Sequence, residues 1–238
     1  MNAVFVEGYN ERLFSGDALR RFYHLSRFRW LKERISQQAQ APLRVVELGC
    51  FDARTLDYLP RRPQQYVGLD ANWEGGLDEA RQKLSGRPEV SLIEATEASV
   101  LKQYEDGQFD TAVALETLEH IPSDLLRDYL AELARVTRGC FYISVPNEMG
   151  PVFLAKYLVK RMAYGGTETY SGKEVIAATL RQSHKVERNE HKGFDYRTLI
   201  KDMDEYFRVT RVEGIPFAAV PSAISLTVGI TAVSRGIG

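Results

Sequence analysis

Residues 44–55, Arg-Val-Val-Glu-Leu-Gly-Cys-Phe-Asp-Ala-Arg-Thr, constrain this chain more than any other stretch. Val45, Val46 and Leu48 form a short apolar run of the kind a strand buried on both faces requires. Gly49 ends that run, where the missing Cβ permits a sharp turn or a close ligand approach. Asp52 is placed to cap a helix over 53–59, which Pro60 and Pro63 would stop. Strand, glycine turn and helix start in succession make a nucleotide-type cradle at the carboxyl edge of a parallel sheet. Glu47 sits on the strand just before the turn. A second apolar run, 66–69, ends in Asp70 about 20 residues after the turn, the spacing at which a carboxylate meets a ribose hydroxyl in such folds.

The rest of the pattern extends this beginning. Strands are expected at 90–93, leading into Glu94-Ala95-Thr96-Glu97, at 109–115, ending in the polar run 116–122, and at 140–145, followed by Pro146-Asn147-Glu148. Helices are expected at 17–37, with Arg20, Arg21, Arg27, Arg29, Lys32 and Arg34 on a solvated basic face, and at 77–84. A third runs from a Ser123 or Asp124 cap to about Val136, closed by Gly139. Further helices fit 152–162, 172–182 and 197–207, with strands at 208–212 and 223–233. The last two strands have no helix between them, which predicts a hairpin and an antiparallel final strand.

Glu47-Leu48-Gly49-Cys50, Asp70, and the run from Phe109-Asp110 to Leu118-Glu119-His120-Ile121-Pro122 resemble the class I S-adenosylmethionine (SAM)-dependent methyltransferases, over roughly 43–147. The resemblance implies a Rossmann-like, doubly wound α/β fold with a seven-stranded sheet in the order 3-2-1-4-5-7-6. The last strand is antiparallel, with an N-terminal helix and a helical insertion after strand 5. It implies one methyltransferase domain over 1–238. Its parts are an N-terminal helical cap (1–40), a cofactor-binding core (43–147), a helical acceptor-side region (148–205) and a terminal strand hairpin (206–234). Tyr9, Arg12 and Phe14 would then belong to a lid over the cofactor. The implied cofactor is S-adenosyl-L-methionine, surrounded by Glu47, Gly49, Cys50, Phe51, Asp70, Ala71, Ala95, Thr96, Leu115, Glu116 and His120. Asp70 matches the family's ribose-binding acid, and Ala95 or Thr96 stands where the family contacts adenine. Phe51 and Ala53 replace glycines usual in the family. That loss disfavours a nicotinamide dehydrogenase, whose second glycine admits a pyrophosphate, more than a site for SAM, which has no phosphate. It also motivates the alternative of a non-catalytic binding module on the same fold.

A methyl group on a sulfonium is already activated, so the protein must chiefly hold the acceptor in line. For an oxygen or carbon acceptor a general base adds about 10²–10⁴-fold, and histidine suits that task near neutral pH. Of the four histidines, His24, His120, His184 and His191, two are catalytic candidates. His120 lies in the fourth-strand motif. His191, in Glu190-His191-Lys192-Gly193-Phe194-Asp195, is a base or acceptor contact unless a nearby backbone group claims it. No metal site is expected. The resemblance implies a small-molecule or glycan acceptor; the Glu-Leu-Gly-Cys-Phe-Asp-Ala-Arg-Thr variant is similar to methyltransferases of surface-glycan pathways, so O-methylation of a sugar or polysaccharide end is preferred, with a quinone-type acceptor as runner-up.

Composition excludes other classes. A net charge of −1 gives no footprint for nucleic acid. Cys50 and Cys140 read as reduced, buried thiols of a cytoplasmic protein, and the N-terminus lacks the basic start and apolar core of a signal peptide. Residues 214–234 carry no charge and are long enough to cross a bilayer. Pro216 and Pro221 interrupt them, however, and Ile224, Leu226, Val228 and Ile230 alternate with polar or small residues, which is a strand's period.

Overall fold

The structure, a computed structural model, describes residues 18–38, 43–165, 170–189 and 191–236. Its centre is a single sheet of seven strands: β1 (Arg44–Leu48), β2 (Gln65–Asp70), β3 (Val90–Glu94), β4 (Phe109–Leu115), β5 (Thr137–Pro146), β6 (Phe207–Ile215) and β7 (Thr227–Ser234). The order is β3-β2-β1-β4-β5-β7-β6, as the resemblance implies. The first five strands run parallel, and β7 enters antiparallel between β5 and β6.

Strand periodicity explains the layers. Val46 and Leu48 point to one face, in one apolar cluster with Leu126, Leu130 and Leu133 of α3 (Ser123–Val136) and Leu199 and Met203 of α6 (Tyr196–Met203). Val45 points to the other, under Phe28, Leu31 and Ile35 of α1 (Ala18–Gln38) and Leu77 and Ala80 of α2 (Gly76–Lys83). Both faces are therefore dry, as a parallel sheet demands. A smaller cluster of Met149, Phe153, Ala177, Ala178 and Val186 joins α4 (Pro151–Tyr164) to α5 (Gly172–Thr179) beyond the end of β5.

Several local expectations are corrected. The helix at 53–59 is a single 3₁₀ turn, Arg54–Asp57, because Ala53 before it is left-handed and Pro60 follows closely. Asp52 does not cap it; its carboxylate accepts from the backbone N–H and guanidinium of Arg54 instead. Gly139 lies inside β5 and does not close α3, since pairing with β4 already begins at Thr137. Neither Ser123 nor Asp124 caps α3; Pro122 holds the cap position and Ser123 is the first helical residue. The helix placed at 197–207 is α6, over before β6 starts at Phe207, and 222–224 form a 3₁₀ turn, so β7 begins only at Thr227.

The basic face of α1 is not wholly solvated. Arg34 is buried against β6, where its guanidinium meets both oxygens of Glu213, at 2.6 and 2.8 Å. Trp30 donates to the same carboxylate at 2.7 Å. The expected lid residues Tyr9, Arg12 and Phe14 lie outside the described residues. Among the described residues no helix is long and apolar enough to cross a membrane. Residues 227–234 are the strand that their alternation predicts. Neither cysteine is in a disulfide; Cys50 is buried and Cys140 half-buried.

Candidate active site at the carboxyl edge of the sheet

The order of strands reverses between β1 and β4, and ligands of open α/β sheets bind in the crevice at such a point. Gly49 occupies it with a φ of +72°, and a Cβ there would fall 2.2 Å from Oγ1 of Thr117. The loops after β1 and β4 thus touch at a position only glycine can take. Phe51 and Ala53 follow with φ of 47° and 54°, left-handed turns that glycine makes more cheaply. That costs about 1–2 kcal/mol per residue, and packing offsets it. Ala53 is buried, and the Phe51 ring lies where a Cβ on Gly76 would come within 2.5 Å of it.

Asp70 closes the other side. Its Oδ2 accepts from the backbone N–H of Phe51 at 2.8 Å, and its Oδ1 from that of Asn72 at 2.7 Å. A carboxylate oxygen accepts more than one bond, so capacity remains for hydroxyl donors. Ala71 continues from Asp70, and the backbone N–H of Ala95 donates to the Asp70 carbonyl at 2.9 Å, which brings Ala95 and the exposed Thr96 alongside. A bend without a side chain and a half-exposed carboxylate fit an adenosyl ligand that offers ribose hydroxyls.

Glu47 lies beneath this cradle. It is 2 % exposed and accepts from the Thr55 hydroxyl at 2.6 Å and from the Tyr66 hydroxyl. Its partners are hydroxyls of the 3₁₀ turn and of β2. Burial raises its pKa to about 8, against the pull of those two hydrogen bonds. The folded protein therefore holds a proton that the unfolded chain releases from about pH 4.5 upward. The stabilisation is complete below that pH and lost as pH rises through about 8. Glu47→Gln is expected to abolish this decline, on the order of 1.4 kcal/mol per pH unit at its steepest. Urea unfolding of both proteins across that range checks it, and parallel curves would refute it. Burial likewise pushes the Cys50 thiol up, which makes it unreactive.

Polar groups gather beside the cradle at the end of β4. Leu115 ends β4 buried; Glu116 follows with a φ of 53° and accepts from Ser144 Oγ at 3.1 Å. Burial raises the Glu116 carboxyl, opposed first by the Arg27 cation of α1. His120 ends the 3₁₀ turn Leu118–His120, and His191 comes from a tight turn after α5 closed by Asn189 and Lys192. Their rings meet edge to face with centroids 4.4 Å apart. Burial, then the neighbouring His120 and the cations Lys156, Lys160 and Arg188, lower the His191 pKa to about 4. The surface depressions around Gln65 and Arg138 open at the opposite edge of the sheet and touch none of these residues.

Sequence reasoning did not single out Thr117, Glu119, Asn147 or Arg188. Asn147 follows β5, and its side-chain amide donates to the carbonyls of Ser222 and Ser225, holding the turn before β7 over this edge. The polar residues straight after each parallel strand were the available signal, but which of them face one another is a matter of the loops.

Residues 46–140 match the family model described as a methyltransferase domain. Among solved structures, magnesium protoporphyrin IX methyltransferase from Synechocystis with bound S-adenosylhomocysteine superposes with a TM-score of 0.55 at 17% identity, covering 94% of this chain and 91% of that one. A SAM-dependent methyltransferase from Aquifex aeolicus gives 0.52 at 15% identity, covering 88% and 91%. A complex of the Haloferax volcanii Trm112 methyltransferase activator with its methyltransferase gives 0.58 at 15%, covering 91% of both. No curated protein matches the chain in sequence. Fold and family match make 46–140 of this chain a methyltransferase domain on a Rossmann-like sheet. S-adenosyl-L-methionine is its cofactor.

Proposed function

We propose that the chain methylates a hydroxyl at the end of a sugar or polysaccharide. The observation that supports this reading is the character of the acceptor side, where Glu116, Glu119, His120, His191, Lys156 and Arg188 gather in place of the apolar wall that a quinone precursor would need. Bound SAM supplies a methyl group whose leaving group departs neutral. Gly49 and Phe51 shape the adenosyl side, and Asp70 and Ala71 receive the ribose. Ala95 and Thr96 border the adenine, and Leu115, Glu116 and His120 face the methionine end. His191 contacts the acceptor from 148–205. Glu47 and Cys50 support the loop from below. Two free thiols suit a reducing compartment, which favours a cytoplasmic setting.

The test is transfer of labelled methyl from SAM to sugar nucleotides, glycan ends and quinone precursors offered in parallel. Labelled sugars or glycans are expected. Transfer confined to quinone precursors overturns the acceptor, and a chain that binds SAM but transfers to nothing is the non-catalytic module.

A further inference from the structure

We propose that Glu119, His120 and His191 form a site for a borderline divalent metal ion, of which Zn²⁺ is the type, at the carboxyl edge of β4. The proposal rests on the reading of this edge as the acceptor side, and adds a cation to it.

Three observations carry it. One ligating atom from each of the three residues lies within 4.8 Å of the other two. A tetrahedral metal with ligands at about 2.0–2.1 Å holds them about 3.3 Å apart, so small side-chain rotations close the set. Second, Glu119 is 1 % exposed, and neither carboxylate oxygen has a hydrogen-bond partner. A buried carboxylate left in that state is costly unless a proton or a cation neutralises it. The nearby cations Arg27 and Arg188 make no hydrogen bond to it: Arg188 donates instead to the backbone carbonyl of Glu119 at 2.7 Å and lies over the Phe194 ring. Third, the histidines arrive on separately held supports. His120 is fixed by the 3₁₀ turn, and the turn bearing His191 is tied to α5 by the Lys192–Glu174 ion pair at 2.8 Å. Both histidines keep part of their surface open to solvent, which leaves a path for the ion and room for water or an acceptor oxygen to complete its shell.

Two imidazoles and one carboxylate are a borderline set that suits Zn²⁺ better than the harder Mg²⁺, which prefers oxygen ligands and keeps its water. With three protein ligands the fourth position stays open, the arrangement by which a metal polarises a bound oxygen.

The experiment is calorimetric titration of the metal-depleted full chain with Zn²⁺ and, separately, Mg²⁺, without SAM or acceptor. Glu119→Gln, His191→Ala and the control His184→Ala are titrated alongside, and thermal unfolding reports whether each is folded. The expected result is one saturable Zn²⁺ site in the parent and in the control. Affinity should fall by more than about 10–100-fold, the loss typical of outer-shell changes, in the other two. A folded parent that binds no Zn²⁺, binding that survives both ligand replacements, or a preference for Mg²⁺ each overturns the site. The titration contains no methyl acceptor, so its failure leaves the sugar reading to stand or fall on the transfer assay.

Discussion

Glu213→Ala is expected to destabilise the protein by about 3–5 kcal/mol, the cost of removing one partner from a buried ion pair. Arg34 has its guanidinium on both carboxylate oxygens, and Trp30 loses its acceptor in the same step. In the variant a cation and an indole N–H remain buried against β6 with nothing to replace the carboxylate. For a chain of this size each kcal/mol moves the midpoint by about 2–4 °C, so a fall of about 6–20 °C follows. Circular dichroism melting measures it. The contrasting variant Arg34→Met with Glu213→Leu removes both charges and is expected to lie near the parent, since apolar replacement of a whole buried pair is often neutral or better. A single variant that melts with the parent would show that α1 is seated by its apolar residues alone.

Asp70→Ala is expected to weaken SAM binding by roughly 1.5–3 kcal/mol, the worth of hydrogen bonds to a charged group, or about 10–150-fold in Kd. The carboxylate accepts from the backbone N–H groups of Phe51 and Asn72, and in the proposed reading it also receives the ribose. The alanine variant therefore also loosens the bend that carries Phe51 at positive φ. Asp70→Asn separates the two, because its single carbonyl oxygen can still satisfy one amide. It should recover part of the stability and little of the affinity. Calorimetry with SAM and with S-adenosylhomocysteine provides the numbers, and an unchanged Kd in the alanine variant would remove Asp70 from the ribose.

How much was legible beforehand depended on whether the signal was local. The apolar run 45–48, the glycine that ends it and the acid that ends the next strand are short-range patterns, and the structure places Gly49 and Asp70 at one edge, joined by the loop between them. The antiparallel final pair followed because no helix separates the last two strands, and the full order of seven came with the resemblance to the methyltransferases. Expectations failed where tertiary pairing overrode local preference. Gly139 suits a helix end, yet β5 claims it because β4 offers hydrogen bonds from Thr137 onward. Asp52 suits a cap, yet left-handed Phe51 and Ala53 leave room for only one turn.

Sequence by itself determined the α/β class, the antiparallel final pair and the cradle after the first strand, because these rest on period, turn chemistry and spacing within a few dozen residues. Only the tertiary structure decided that Arg34 is buried on Glu213, that Glu47 is held by two hydroxyls, and that His191 meets His120 above Glu119. Those pairings join residues far apart along the chain. No local rule reaches across that distance, since loop closure and the packing of both sheet faces fix who meets whom.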